Sequence, residues 1–152
     1  MKNSLMRAMK NSISEVLEKM FYLSIEIDED TDSYQIDENV DYHSSKLSFK
    51  GPFSGTFHST CPENLLKIMT VNFLGVDDTE VTQTHMIEVV KEMGNIIVGN
   101  IFSNYDANIE FQLGIPEIVT EKISFADEND ENNINLIVEA LESFLGFKIE
   151  IE

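Results

Sequence analysis

The sequence predicts an α/β domain of the α+β kind, with two long helices and one short helix packed on a mostly antiparallel sheet. Three observations point there. Two long stretches, residues 5–20 and 84–103, repeat apolar residues every three or four positions, the period of a helix with one buried face. Shorter stretches alternate apolar and polar residues, the period of a half-buried strand. A shift of 77 positions sets Met9, Ile13, Val16 and Met20 on Met86, Val90, Met93 and Ile97, as a duplicated helix-plus-sheet unit with internal pseudo-twofold symmetry would.

The elements follow in order. Residues 5–20 carry Leu5, Met9, Ile13, Val16, Leu17 and Met20 on one stripe and make the first helix. Residues 28–41 are acidic and aperiodic, a solvated loop or sheet edge with room for a short strand at 34–40. Residues 46–50 and 53–60 alternate on either side of Gly51-Pro52, with Leu47 and Phe49 answered by Phe53, Gly55 and Phe57, and predict a β-hairpin. Pro62 suits the first turn of a short helix that carries Leu65, Leu66, Ile68, Met69 and Phe73 and stops at Gly75. Residues 84–103 form the longest helix, with Met86, Val90, Met93, Ile97 and Ile101 on its stripe. Residues 108–115 and 117–125 read as strands, 127–133 as a charged turn, and Phe147, Ile149 and Ile151 as a closing strand. Residues 134–142 fit both periods: Ile134, Leu136, Val138 and Ala140 alternate, while Ile134, Ile137, Val138, Leu141 and Leu145 make a helical stripe.

With 152 residues, 42% of them hydrophobic, the chain can build one core, and residues 1–152 are expected to form a single domain. No apolar run is long enough to span a bilayer and no secretion signal opens the chain, so a soluble cytoplasmic protein is expected. The single cysteine, Cys61, cannot form an internal disulfide and fits a reducing compartment as a small packing side chain. A formal charge of −18 repels phosphate backbones and anionic lipid heads. Nucleic acid and membranes are therefore poor partners, and a protein presenting Lys or Arg is a better one.

On the helix at 84–103, Glu88, Glu92, Asn95 and Gly99 are spaced four, three and four apart. At about 100° per residue they share a fan of roughly 60°. The Met86 to Ile101 stripe faces the opposite way, and Val89, Ile96, Ile87 and Val98 make both flanks apolar. Only a thin polar strip remains, with carboxylates, a carboxamide and a glycine that lets another backbone come close. An asparagine inside a helix costs about 0.5 kcal/mol relative to alanine, which asks for a reason.

The run Glu92-Met93-Gly94-Asn95, followed by Ile96-Ile97-Val98-Gly99-Asn100, resembles the Glu-x-x-Asn helix signature of the CheX/CheC/FliY chemotaxis phosphatases, CheX being the nearest branch. The segment from Phe111 through Gly114-Ile115-Pro116 to Val119 resembles the strand and turn after that helix, and Val16-Leu17-Glu18-Lys19-Met20 resembles the family's first helix. The resemblance covers most of the chain and is strongest over residues 81–119. It implies a CheC-like fold, a homodimer, and dephosphorylation of a CheY-type response regulator whose phosphoryl group sits on an aspartate beside a bound Mg²⁺. The metal would belong to the partner, and no cofactor or metal of this chain's own is implied.

In that chemistry Asn95 would hold the attacking water and Glu92 would pair with the regulator's active-site lysine. Glu88 and Gly99 would line the partner-binding ridge. The family usually has Asp or Ser where Glu88 stands. In the first helix Glu18 stands at the position matching Asn95, so that helix should carry no second site. The alternative is a non-catalytic module that docks a regulator or a flagellar switch component through the same ridge.

Weaker signals do not hold up. Asp28, Asp30 and Asp32 open like a calcium loop, but Ser33 and Asn39 stand where its glycine and closing glutamate belong. His43, His58 and His85 lack metal-ligand spacing and read as surface or satisfied core residues.

Overall fold

Alternation of side chains explains the sheet, and one long apolar stripe explains what lies on it. The computed structural model describes residues 1–28, 37–121, 123, 125 and 131–152. Its elements run α1 (Lys2–Lys19), β1 (Glu26–Asp28), β2 (Tyr42–Lys50), β3 (Gly55–Pro62), α2 (Glu63–Leu74), a short 3-10 turn (Asp78–Glu80), α3 (Gln83–Tyr105), β4 (Gln112–Leu113), β5 (Glu117–Val119), β6 (Asn133–Ala140) and β7 (Ser143–Ile151). Among the described residues the strands form one sheet in the order β1-β6-β7-β3-β2-β4, with β5 also on β2, and every pairing is antiparallel.

The register puts one set of side chains under the helices. Ser45 faces Ser59 and Leu47 faces Phe57 across β2 and β3; Phe57 faces Ile149 on β7, and Ile149 faces Ile134 on β6. These residues are buried, and with Leu5, Met9, Ile13, Val16 and Leu17 of α1 and the α3 stripe they form one continuous core. Between them, Lys46, Ser48, Thr56, His58, Lys148 and Glu150 take the opposite face, as the two-residue period requires. α3 lies on β2 and β3, with α1 and α2 packed against it.

Local signals set the element ends. α3 begins with a capping box: the Thr82 hydroxyl accepts from His85 N–H at 3.1 Å while Thr82 N–H donates to His85 Nδ1 at 3.2 Å. α2 stops at Gly75, whose φ of 66° is the left-handed conformation that glycine adopts without steric cost. Pro62, with ψ 145°, is still extended and precedes the first turn of α2, where the sequence had suggested it would lie inside that turn.

Several expectations need correction. Residues 134–142, which fit two periods, are strand: β6 and β7 make a hairpin about Leu141 and Glu142, both left-handed with φ 49° and 63°. The strand expected over 108–115 shrinks to Gln112–Leu113, because Phe111 leaves the sheet to stack on Phe102 of α3, ring centroids 3.9 Å apart. The strand expected over 117–125 is ordered as strand only at Glu117–Val119, and residues 122 and 124 lie outside the described residues. Of the strand suggested at 34–40, residues 34–36 lie outside the described residues and 37–40 form a turn; most of the rejected calcium loop, and residues 127–130 of the charged turn, also lie outside. Met20 and Ile68, placed on apolar stripes by spacing, are 37% and 42% exposed.

The exposed strip of the long helix as candidate active site

α3 is submerged on most of its circumference. Met86, Val89, Val90, Met93, Ile97, Val98 and Ile101 are all buried, which leaves the Glu88, Glu92, Asn95 and Gly99 strip facing out, as the spacing predicted. Glu92 is exposed and Asn95 and Gly99 are half-exposed. Among the described residues neither the Glu92 carboxylate nor the Asn95 carboxamide has a hydrogen-bond or ionic partner. Both are free to bind something that is not part of this chain. Their side chains, three residues apart, leave the helix about 5–6 Å from each other.

Gly94 explains how the helix is seated. A Cβ there would stand 3.3 Å from Ser45 Oγ and 3.4 Å from Ser59 Oγ, so α3 comes down on the sheet where both layers have small side chains. The two hydroxyls are 2.9 Å apart, and Ser45 also donates to the Val90 carbonyl at 3.3 Å. This buried polar link ties helix to sheet at Val90, and the close approach at Gly94 seats the turn that carries Asn95. A second tie joins α3 to α1, where Asn104 Nδ2 donates to the buried Ser12 hydroxyl at 2.9 Å. In the sequence Gly94 stands out only as part of the motif; the signal for its role is the pair of serines on facing strands.

The other ridge residues are in different circumstances. Glu88 lies 3.5 Å from Lys91 Nζ, an exposed pair one turn from Glu92 that partly neutralises the longer acid. Lys91 was not singled out from sequence, although its spacing from Glu88 would have allowed it. Gly99 has nothing within 4 Å of where a Cβ would lie, which leaves the ridge open there.

The histidines and the cysteine have structural duties. His43 Nε2 meets Glu63 Oε1 at 3.1 Å, joining β2 to α2, and His85 caps α3. His58 Nε2 lies 3.1 Å from Glu150 Oε1 without the alignment of a hydrogen bond, and burial lowers its pKa. Cys61 is fully buried, with its Sγ 3.7 Å from Met69 Sδ, and burial pushes its thiol pKa far up, which suits packing and not nucleophilic attack. Among the described residues no three His, Cys, Asp or Glu are grouped to hold a metal, and no helix is long and apolar enough to cross a membrane.

The family model for chemotaxis phosphatase CheX matches residues 44–139, which runs from within β2 through most of β6 and contains the whole strip. The chain belongs to the chemotaxis phosphatase CheX family. It is an aspartyl-phosphate phosphatase of chemotaxis signalling, a hydrolase. No curated protein matches the sequence. Among solved structures the fold is similar to the chemotaxis protein CheX from Vibrio vulnificus, at TM-score 0.73 and 18% identity over 97% of this chain and 96% of that one. It is also similar to the CheX of the CheX-CheY-BeF3-Mg²⁺ complex from Borrelia burgdorferi, at TM-score 0.65 and 17% identity over 96% of both chains. Thermotoga maritima FliY is similar at TM-score 0.57 and 14% identity over 94% of this chain and 83% of FliY. These likenesses agree with three helices on an antiparallel sheet, the CheC-like fold expected from the sequence.

Proposed function

We propose that residues 1–152 act as one CheX-like domain that docks a phosphorylated CheY-type response regulator along the α3 ridge, with Glu92 and Asn95 as the catalytic pair. The observation that carries the reading is the geometry of that pair: among the described residues, two polar side chains without partners, one turn apart, on a helix buried on most of its circumference. Hydrolysis of an aspartyl phosphate breaks the phosphorus–oxygen bond to the carboxylate as water attacks from the opposite side. The carboxylate leaves as an anion, and the water's proton passes to the phosphate released. Little covalent help is needed, so catalysis is mainly positioning and electrostatic stabilisation.

Asn95 suits the in-line position because a carboxamide can accept from the water and donate to a phosphoryl oxygen at once. Glu92 orients the complex by a charge-assisted bond to the regulator's lysine, while Glu88 and Gly99 contribute to the contact surface. A Mg²⁺ held by the regulator would neutralise charge on the phosphoryl oxygens. A homodimer, implied by the resemblance to CheX, is part of the same proposal, as are a cytoplasmic location and an internal duplication in which α1, with Glu18 in place of Asn95, has no second site.

The test follows the decay of a phosphorylated CheY-type regulator with and without the protein. Accelerated decay that fails with Glu92→Ala and Asn95→Ala supports the assignment. Binding with no acceleration would support the non-catalytic docking module, and equal acceleration by all three proteins would remove this pair from the chemistry.

A further inference from the structure

The exposed strip continues past Gly99. At about 100° per residue Asp106, just beyond the last turn, falls in the same angular fan as Glu92 and Asn95, and Ser103 lies about 20° outside its edge. Beside them opens a cleft of about 180 Å³ whose lining includes Gly99, Phe102, Ser103, Asp106, Phe111 and Leu113. One wall is apolar: the Phe102 and Phe111 rings are stacked with an interplanar angle of 15°, and Leu113 is 38% exposed. The mouth is open at Gly99, where no side chain obstructs it.

The polar end of the cleft is negative. Asp106 caps α3, its N–H bonded to the Phe102 carbonyl at 3.1 Å and one carboxylate oxygen accepting from Asn108 N–H at 2.9 Å. The last turn of α3 contains no basic residue, so the negative end of the helix dipole adds to the carboxylate with no cation from that turn to offset it. Among the described residues the Asp106 carboxylate has no ionic partner. A cleft with an apolar stem-sized wall and an anionic end fits a long cationic side chain, whose methylenes pack while its head pairs.

We propose that this cleft is a second anchor of the docking surface and that it takes a lysine or arginine side chain of the phosphorylated response regulator. The proposal rests on the regulator being the partner. Asp106 stands about 16 Å along the helix from Asn95, eleven residues at about 1.5 Å each, too far to touch the reacting phosphoryl group. The contact therefore strengthens ground state and transition state alike and acts on KM, not on kcat.

The experiment measures dephosphorylation of a CheY-type regulator, phosphorylated with acetyl phosphate, over a concentration series at low and moderate ionic strength. Wild type is compared with Asp106→Asn, Asn95→Ala and Gly99→Leu. Asp106→Asn keeps the acceptor for Asn108 N–H and so the cap; it should raise KM about three- to tenfold, leave kcat unchanged and weaken the salt dependence of KM. Gly99→Leu, which narrows the mouth without changing charge, should raise KM and keep the wild-type salt dependence. A wild-type KM for Asp106→Asn, a fall in its kcat instead, or an unaltered salt dependence overturns the anchor. Failure of the partner reading looks different: the wild type then gives no acceleration and Asn95→Ala matches it.

Discussion

Replacing Gly94 with valine tests whether α3 is seated on the serine pair. The added Cβ would meet Ser45 Oγ at 3.3 Å, Ser59 Oγ at 3.4 Å and Leu47 Cδ2 at 3.7 Å. The serines cannot simply retreat, because they bond each other at 2.9 Å and Ser45 bonds the Val90 carbonyl. Each such buried bond contributes about 1 kcal/mol. Alanine asks its neighbours to give by a few tenths of an ångström and gains about 1 kcal/mol of helix propensity, so Gly94→Ala should stay within about 1 kcal/mol of wild type. Valine adds two further methyl groups to a closed seat, where overpacking costs about 1–3 kcal/mol and the serine bonds are lost as well. Its propensity gain over glycine is under about 0.5 kcal/mol. The net loss is roughly 2–4 kcal/mol, a fall in Tm of about 5–15 °C for a chain of this size. Thermal melts of wild type, Gly94→Ala and Gly94→Val followed by circular dichroism would show it. A valine variant that melts with wild type would refute the seating.

Three further outcomes can be measured. His58 is held below its ordinary pKa by burial first, against the opposing pull of Glu150 and with Lys148 and Lys46 adding to the lowering. Its contribution to stability is therefore whole above about pH 6.5 and declines as the pH falls from there toward the folded-state pKa. Urea unfolding at pH 7.5 and 5.5 should show a smaller loss for His58→Gln than for wild type. Replacing Leu141-Glu142 by Asn-Gly, residues that take left-handed φ at little cost, should raise stability by about 1–2 kcal/mol and leave phosphatase activity unchanged, checked by melts and the decay assay. Gly51→Ala should lower stability by about 1–3 kcal/mol, since its Cβ would stand 2.6 Å from Phe111 Cδ1, on a ring already stacked against Phe102; melting temperatures decide it.

Long, strongly periodic segments were legible in the sequence because burial dictates their period. The α1 and α3 stripes, the β2–β3 hairpin and the closing strand have many positions that agree. The tail was ambiguous because its turn has Leu141 and Glu142 in place of the Asn-Gly that marks a two-residue hairpin, and pairing with β7 settled it. β1 escaped notice because three residues, Glu26 to Asp28, are too few to show a period. The alternation of Ile109, Phe111 and Leu113 misled because Phe111 serves a ring stack and not a sheet face. Within the site, the shared direction of Glu88, Glu92, Asn95 and Gly99 followed from helix geometry alone. The seat of Gly94 and the cleft at Asp106 depend on which strand and which loop meet the helix, and those are tertiary facts.

The most direct measurement is single-turnover decay of the phosphorylated regulator at saturating protein, paired with a binding titration against the regulator carrying beryllium fluoride in place of the phosphoryl group. For Asn95→Ala the positioning role predicts a rate lower by about a hundredfold or more with affinity nearly unchanged, because the carboxamide acts on the water at the transition state. A wild-type decay rate for Asn95→Ala, or a loss explained wholly by weaker binding, would contradict it.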